Sequence, residues 1–462
     1  MSREITEELI ARQPPEAQAI IRFLLARIAQ LEARLNKTPQ NSSLPPSAQH
    51  PHGKPPRKKD KSGKKRGGQQ GHAKHERPLI PTDQCDAVEP LKPSECRRCG
   101  AELSGSDPEP LRHQVWELPE IKPLVTEYQR HRLACPCCGE TTCAELPLGV
   151  PMGQSGPRLV AFAGLLMAYF RQSKRRTALF LETLLNQPCC AATAVKMQTI
   201  VTAAVRPAYE ELAAQLPAQE QLSIDESPTK EQNSKAWVWT FVASAFTVFA
   251  VRTTRAATVL HELLTGGFHG IVNCDRAKMY WSLGRLQWCW AHLNRDFQAL
   301  IDSGDAKERR LGHDLMRPTR KLFRHWARYR DGTLTWVGFQ RSMTPIRAEI
   351  EALLLRGVFS GHARLQGMCD ELYDHREWLW TFVEHEGVEP TNNASERALR
   401  HSVIWRKLSF GTQSASGSRF VETMLSVIET CRQQQRPVFA YLANTVAAHF
   451  ACQPTPSLLS GA

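Results

Sequence analysis

The chain has 462 residues, too many for one small core and enough for about three units at roughly 150 residues each. Its composition is that of an ordinary soluble globular protein, and its longest apolar runs, 159–170 and 237–251, fall short of the roughly 20 residues that span a bilayer. A formal net charge of +13 points to a polyanionic partner, nucleic acid being the commonest, without choosing DNA over RNA.

No basic segment followed by an apolar run and a cleavage site opens the sequence, so a cytoplasmic protein with no membrane partner is expected. In that reducing compartment fourteen cysteines are read as metal ligands before disulfides. Residues 5–37 read as one helix. Ile21, Leu24, Ile28, Leu31 and Leu35 form a seam about two heptads long, which serves either dimerisation or packing on the chain's own surface.

From 38 to 81 the pattern gives way to Pro, Gly, Ser, Gln and basic residues, the signature of a disordered linker. Between Lys54 and Arg77 ten Lys or Arg face two acids, so this arm alone carries +8 of the net charge. Lys58, Lys59, Lys64, Lys65 and Arg66 are its candidate phosphate contacts, and such contacts are sequence-independent and salt-sensitive.

Two C-x-x-C-G knuckles follow, Cys96 to Gly100 and Cys135 to Gly139. Two tight turns of this kind supply four thiolates for a structural zinc ion, with each glycine free to take a positive φ. Cys96, Cys99, Cys135 and Cys138 are the expected ligands, although Cys137 could replace either Cys135 or Cys138. Val115–Leu118 and Leu124–Leu133 read as strands, so 82–150 is expected to be a zinc-ribbon-like module.

Residues 151–218 form a helical block. Within it Thr177–Asn186, a turn, and Thr193–Val205 capped by Thr193 read as a helix-turn-helix that would bring Lys196 and Gln198 to a DNA groove, or equally as an ordinary helical hairpin. At Leu222 the periodicity turns strand-like. Leu222–Asp225 is a short strand ending in an acid, and Ala236–Ser244 and Thr247–Thr253 are two more. A helix over Ala256–Leu264 precedes Gly270–Asp275, a fourth strand again ending in an acid, and Gln287–Trp290 is a candidate fifth.

This order describes a ribonuclease H-like α/β core, split as 219–300 and 389–450 around an all-α insertion over 301–388. In such a sheet the first and fourth strands are neighbours, so Asp225 and Asp275 would meet. After the insertion, Asn393 followed three residues later by Glu396 reads as a capping box. The two distant acids give Glu396 a second reading, as the third member of a carboxylate site.

Carboxylate oxygens suit Mg²⁺, and two such ions can activate an attacking oxygen and stabilise a leaving one in phosphoryl transfer. Asp225 would bridge the ions, Asp275 would hold one and Glu396 the other, with Mn²⁺ as a substitute. Arg397 and Arg400 are candidate phosphate contacts. Glu226, next along the strand from Asp225, is expected on the opposite face and outside the site. The Cys289-to-His292 spacing is that of half a metal site, but with no second pair nearby it reads better as packing.

With these motifs in view the chain resembles transposases of the insertion sequence 66 family of bacterial mobile elements over nearly its whole length. The resemblance is carried by the Asn41–Ser43 linker, the cysteine knuckles and Asp225-Glu226-Ser227. It continues in Cys289–His292, Asn392–Arg400 and Trp405–Thr412 with Gly417–Phe420. It implies a DDE transposase that cuts and joins double-stranded DNA at element ends and target, bound to the nucleoid, with catalytic acids at Asp225, Asp275 and Glu396. It also implies a dimer or higher oligomer on DNA and small accessory proteins from the same element. Thr391 stands where the family usually has Asp, and 276–280 lacks the usual glycine, which puts efficiency or lineage in question rather than reaction class. Two other readings compete: a catalytically silent, zinc-dependent DNA-binding regulator, and a nuclease that hydrolyses without rejoining.

Overall fold

The computed structural model describes residues 7–35, 37–38, 41, 77–264 and 267–459. The phosphate-tracking candidates Lys58, Lys59, Lys64, Lys65 and Arg66 lie outside the described residues. The described residues group into two compact units, 77–122 and the remainder.

The N-terminal segment forms two helices rather than one, α1 (Glu7–Ala11) and α2 (Pro15–Leu35). Pro14 and Pro15 explain the break: neither can donate to a helix from the preceding turn, while Pro15 is well suited to begin one. Leu24, Ile28 and Leu31 of the seam are each about half exposed among the described residues, and Ile21 is partly buried.

The 77–122 unit has little regular structure: a 3₁₀ turn at Thr82–Gln84, a bridge between Glu95 and Glu102, and the first knuckle between them. The expected strand at Val115–Leu118 is absent. Val115 and Leu118 are exposed, and no neighbouring backbone offers the hydrogen bonds that would hold an isolated apolar run extended in a ladder. Of Leu124–Leu133 only the last residues are strand, because pairing comes from beyond the second knuckle: β1 (Arg132–Ala134) runs antiparallel to β2 (Thr141–Cys143).

The helical block comprises α3 (Pro157–Ala168), α4 (Lys174–Leu185) and α5 (Ala191–Ala214). Ser173 caps α4 by accepting from Arg176 N–H, and Asn186 closes it in the left-handed conformation. α5 starts at Ala191 with Cys190 at its cap position, so Thr193 lies inside the first turn and is not the cap. Lys196 is exposed, but Gln198 is buried in the face that packs inward and cannot reach a groove from there.

A five-stranded sheet follows: β3 (Gln221–Glu231), β4 (Ser234–Val242), β5 (Thr247–Arg252), β6 (Ile271–Cys274) and β7 (Leu286–Trp288). Its order is β5-β4-β3-β6-β7, with β3, β4 and β5 antiparallel and β6 and β7 parallel to β3. β3 is longer than its apolar run suggests. β4 pairs with it as far as Glu231, whereas β6 pairs only with Gln221–Ser223. Asp225 is therefore mid-strand rather than terminal, and Pro228 stands where β3 has a partner on one side only. A short helix, α6 (Thr258–Leu263), joins β5 to β6.

α7 (Trp290–Ile301) follows the last strand, and the 301–388 segment continues through α8 (Ala306–Arg330), α9 (Trp336–Val358), α10 (Ala363–Asp374) and α11 (Glu377–Glu384). After it come α12 (Asn393–Ser409), α13 (Ala415–Gln433) and α14 (Val438–Phe450). Among the described residues no helix is long and apolar enough to cross a membrane.

Both sheet edges are closed by helices that satisfy free backbone groups. Along β5 the N–H groups of Thr247, Phe249 and Val251 donate to Thr430, Ser426 and Glu422 of α13, at 3.1, 2.8 and 3.0 Å. Acceptors four residues apart on one helix face match donors two apart on one strand edge. Glu422 is fully buried and is balanced by Arg206, Arg252 and Arg419. At the other edge Thr381 Oγ1 of α11 donates to Leu286 O at 2.6 Å, and Gln287 Oε1 accepts Phe382 N–H at 2.7 Å. Exposed strand edges invite pairing with other chains; here both are covered.

Candidate active site

Side chains alternate along β3. Leu222 and Ile224 enter the main core, while Ser223 and Asp225 face α12, where Ser223 Oγ donates to Ser395 Oγ at 3.1 Å. Ser223 pairs with Asn273 of β6, so two residues further along each chain Asp225 and Asp275 stand at the same level. Asp225 Oδ1 accepts Glu226 N–H at 2.9 Å, and Asp275 Oδ1 accepts Ala277 N–H at 2.8 Å. Burial holds the Asp225 carboxyl well above the usual carboxylate range, reinforced by Glu226, Asp275 and Glu396.

Glu396 arrives from another direction. The preceding turn is docked on the sheet: Asn273 Nδ2 donates to Glu389 O and Thr391 O at 2.6 and 3.1 Å, and Trp290 N–H donates to Pro390 O at 2.9 Å. Cys289 Sγ accepts Asn392 N–H at 3.4 Å. The CxxH segment thus packs against and orients the helix that carries Glu396.

The capping box is not formed. Asn392, not Asn393, occupies the cap position, its side chain makes no cap hydrogen bond, and both its amide atoms are buried without a partner. Glu396 is free of that role. Its Oε1 lies 3.4 Å from Arg295 Nη2 and 3.8 Å from His292 Nε2. Burial, with Arg295 and Arg276 nearby, lowers His292 to about 3, so the imidazole is neutral. Arg397 and Arg400 are exposed and, among the described residues, form no ion pair, which removes a salt bridge as the reason for Arg400.

Glu226 faces away from Asp225 and is held by other partners. Its side chain is 1% exposed, accepts Arg255 Nε at 2.6 Å, and also accepts the Tyr280 hydroxyl. Arg255 Nη2 is also 3.9 Å from Asp275 Oδ2. Strand alternation does turn Glu226 from Asp225, but Asp275 leaves β6 into a loop, and Arg255 links the two acids behind the site.

Among the described residues no three His, Cys, Asp or Glu side chains stand close enough to share one ion. Mg²⁺ is usually held by one or two carboxylates with water and phosphate completing its shell. The donors are all oxygen, and the negative charges of Asp275 and Glu396 add to the burial and the Glu226 charge that raise the Asp225 carboxyl, so the three acids are of the kind that suits a divalent cation.

The two knuckles share one local geometry. Gly100 N–H bonds Cys96 O and Gly139 N–H bonds Cys135 O, each at 2.9 Å, with φ of 72° and 76° at the glycines. The Cys96 thiol is lowered by the N–H groups of Arg98 and Cys99 and by the Cys99 side chain; Cys135 is lowered by the N–H groups of Cys138 and Cys137 and by the Cys138 side chain. By this local equivalence Cys138 holds the position in its turn that Cys99 holds in the first, and Cys137 the position of Arg98, although the Cys137 side chain also lowers Cys135. Such N–H-rich turns are the surroundings in which thiolates bind zinc.

Comparisons with known proteins agree with this assembly. The model for the family described as "Transposase IS66 family" matches residues 153–419, and that for the "zinc-finger binding domain of transposase IS66" matches 93–139. A family of unknown function matches residues 4–78. The uncharacterized protein y4qI of Sinorhizobium fredii is 24% identical over 245 residues, which are 48% of this chain and 45% of that protein. The uncharacterized protein y4jO of the same organism is 26% identical over 200 residues, 42% of this chain and 59% of that protein. The chain spans about half the length of the curated relatives it matches. With the transposase model covering more than half of its length and the zinc-finger model covering both knuckles, the chain belongs to the IS66 family of transposases.

Proposed function

We propose that the chain is a DDE transposase that binds the ends of an insertion sequence and catalyses metal-dependent cleavage and strand transfer of double-stranded DNA. The observation that carries this reading is that the β3–β6 register levels Asp225 with Asp275, just past the end of β6, while the turn before Glu396 is docked on Asn273 of the same strand. Strand order and directions support a ribonuclease H-like core made of 219–300 and 389–450 around the 301–388 insertion.

Asp225 would bridge two Mg²⁺ ions, Asp275 would hold one and Glu396 the other; when bound, the ions would supply activation of the attacking oxygen and stabilisation of the leaving one. Asp225 must give up the proton that its surroundings favour, so ion binding and proton release are linked. His292 and Arg295 keep Glu396 oriented, and Arg397 and Arg400 are free to meet phosphates. Cys96, Cys99, Cys135 and Cys138 would hold the structural zinc. Lys196 on α5 remains a candidate DNA contact from the 151–218 block. The working form would be a dimer or higher oligomer on DNA in the cytoplasm, with accessory proteins of the same element.

The test is a labelled duplex carrying the DNA that flanks the gene, incubated with wild type, Asp225→Ala and Glu396→Ala in Mg²⁺ or EDTA. Mg²⁺-dependent nicking and joined products, lost in both variants while binding survives, support the reading. Cleavage without joined products points to a nuclease. Binding without cleavage, with accessory proteins supplied, replaces it with a DNA-binding regulator.

A further inference from the structure

One cation beside the acids has no task in the scheme above. Arg255 follows β5, and its guanidinium is held from two sides. Its Nε and Nη2 approach Oε1 of Glu226 at 2.6 and 2.5 Å, and its centre lies 5.3 Å from the centroid of the Trp237 ring. Tyr280 donates its hydroxyl to the other oxygen of Glu226, so the buried acid is engaged at both oxygens and is not available as an ion ligand.

Arg255 differs from its anchor in one respect. Its side chain is 44% exposed, and the nearest acid after Glu226 is Asp275, 3.9 Å from Nη2. A guanidinium carries five N–H donors, and Glu226 engages only part of that fork. An ordinary structural ion pair needs neither the second clamp from Tyr280 nor an opening beside a catalytic acid.

We propose that Arg255 grips a phosphate of the DNA strand being processed, and that Glu226, Tyr280 and Trp237 are the mount that fixes its guanidinium. The proposal rests on the transposase reading. A phosphate drawn to the Asp225–Asp275 pair comes within a few ångströms of Asp275, and so within reach of Nη2. A planar fork held still matches two phosphate oxygens at once, with little entropy left to lose. On this view Glu226 is a positioning residue that acts through Arg255.

The experiment compares Arg255→Lys, Arg255→Gln and the double variant Arg255→Gln/Glu226→Gln with wild type. The double variant is the decisive one, because it leaves no buried charge unpaired and so separates loss of the grip from misfolding. The probe is a labelled duplex carrying the DNA that flanks the gene. Three readouts are taken: thermal unfolding, single-turnover cleavage in Mg²⁺, and binding across a salt series in Ca²⁺.

The double variant is expected to unfold as wild type does, to cleave about 10²-fold more slowly, and to lose about one unit of the slope of log affinity against log salt. Arg255→Lys should keep that slope and lose most of the rate, since it retains the charge without the fork. A double variant that binds and cleaves like wild type overturns the proposal and leaves a structural ion pair. If wild type itself does not cleave, the transposase reading has failed instead. The salt series still decides: an unchanged slope in the double variant overturns the grip, and a reduced one upholds it.

Discussion

Asp225 and Asp275 are placed by the sheet, whereas Glu396 is placed by docking. The register of β3 against β6 levels the first two, with Asp275 one residue past the end of β6 and fixed there by the N–H of Ala277. Glu396 belongs to a helix that begins only after the long segment α8–α11. It depends on bonds from Asn273, Trp290 and Cys289 to the 389–392 turn. Two acids on a rigid ladder and a third on a latched turn have different weaknesses, although the proposed chemistry needs all three alike.

The largest expected effect does not distinguish them. Asp225→Ala, Asp275→Ala and Glu396→Ala should each lower Mg²⁺-dependent cleavage by about 10³-fold or more, since each removes a ligand from ions that contribute several kcal/mol at the transition state. The comparison is sharpened by Asn273→Ala, which leaves all three carboxylates in the chain but removes the latch. Two carbonyls, Glu389 O and Thr391 O, lose their donor, at a cost of about 1–3 kcal/mol in unfolding free energy. A displacement of Glu396 by about an ångström should slow cleavage roughly 10²-fold. Denaturant unfolding and single-turnover rates check this, and a variant that is destabilised yet cuts at the wild-type rate would show that the latch does not aim Glu396.

His292 allows a test by pH. Its ordinary value is near 6.5, and burial lowers it to about 3, so between those values the unfolded chain binds a proton that the folded chain refuses. Stability therefore falls as pH drops through that window. The loss is about 1.4 kcal/mol per unit, or on the order of 2 kcal/mol from about pH 7 to about pH 5. His292→Gln lacks this term, so its stability relative to wild type should improve by that amount over the same interval. If the gap between the two proteins stays constant with pH, His292 is not held neutral beside Glu396.

The sheet-placed half of the site was legible as strands, because apolar, β-branched runs mark β3 and β6, but the end of β3 was not, since β4 carries the pairing past Asp225 to Glu231. The docked half was legible only as a motif. The Asn-rich turn announced a helix start, but one residue decides the difference between a cap and an unattached pair of buried amides, and that residue proved to be Asn392. The alternation rule turned Glu226 away from Asp225, but it says nothing of Arg255, which reaches from the loop after β5 to both Glu226 and Asp275. The break at Pro14-Pro15 could have been read directly. The missing strand at Val115–Leu118 could not, since an apolar run shows β propensity without showing a partner.

The smallest effects belong to residues that neither the register nor the latch constrains. Arg397 and Arg400 follow Glu396 on α12, exposed and without ion pairs among the described residues, so their whole charge is available to a polyanion. Replacing either with Gln should leave folding within about 0.5 kcal/mol of wild type, as expected for surface positions without partners. Each should weaken binding to specific and unrelated duplexes alike, and lower the dependence of log affinity on log salt by about one unit. Cleavage at saturating DNA should change far less than in Asn273→Ala, because a contact that holds phosphate equally in the ground and transition states leaves the rate at saturation unchanged. A variant that loses rate at saturation but keeps its salt dependence would move that arginine into the reacting centre. It would also make the first turn of α12, rather than Glu396 alone, the unit that the latch exists to hold.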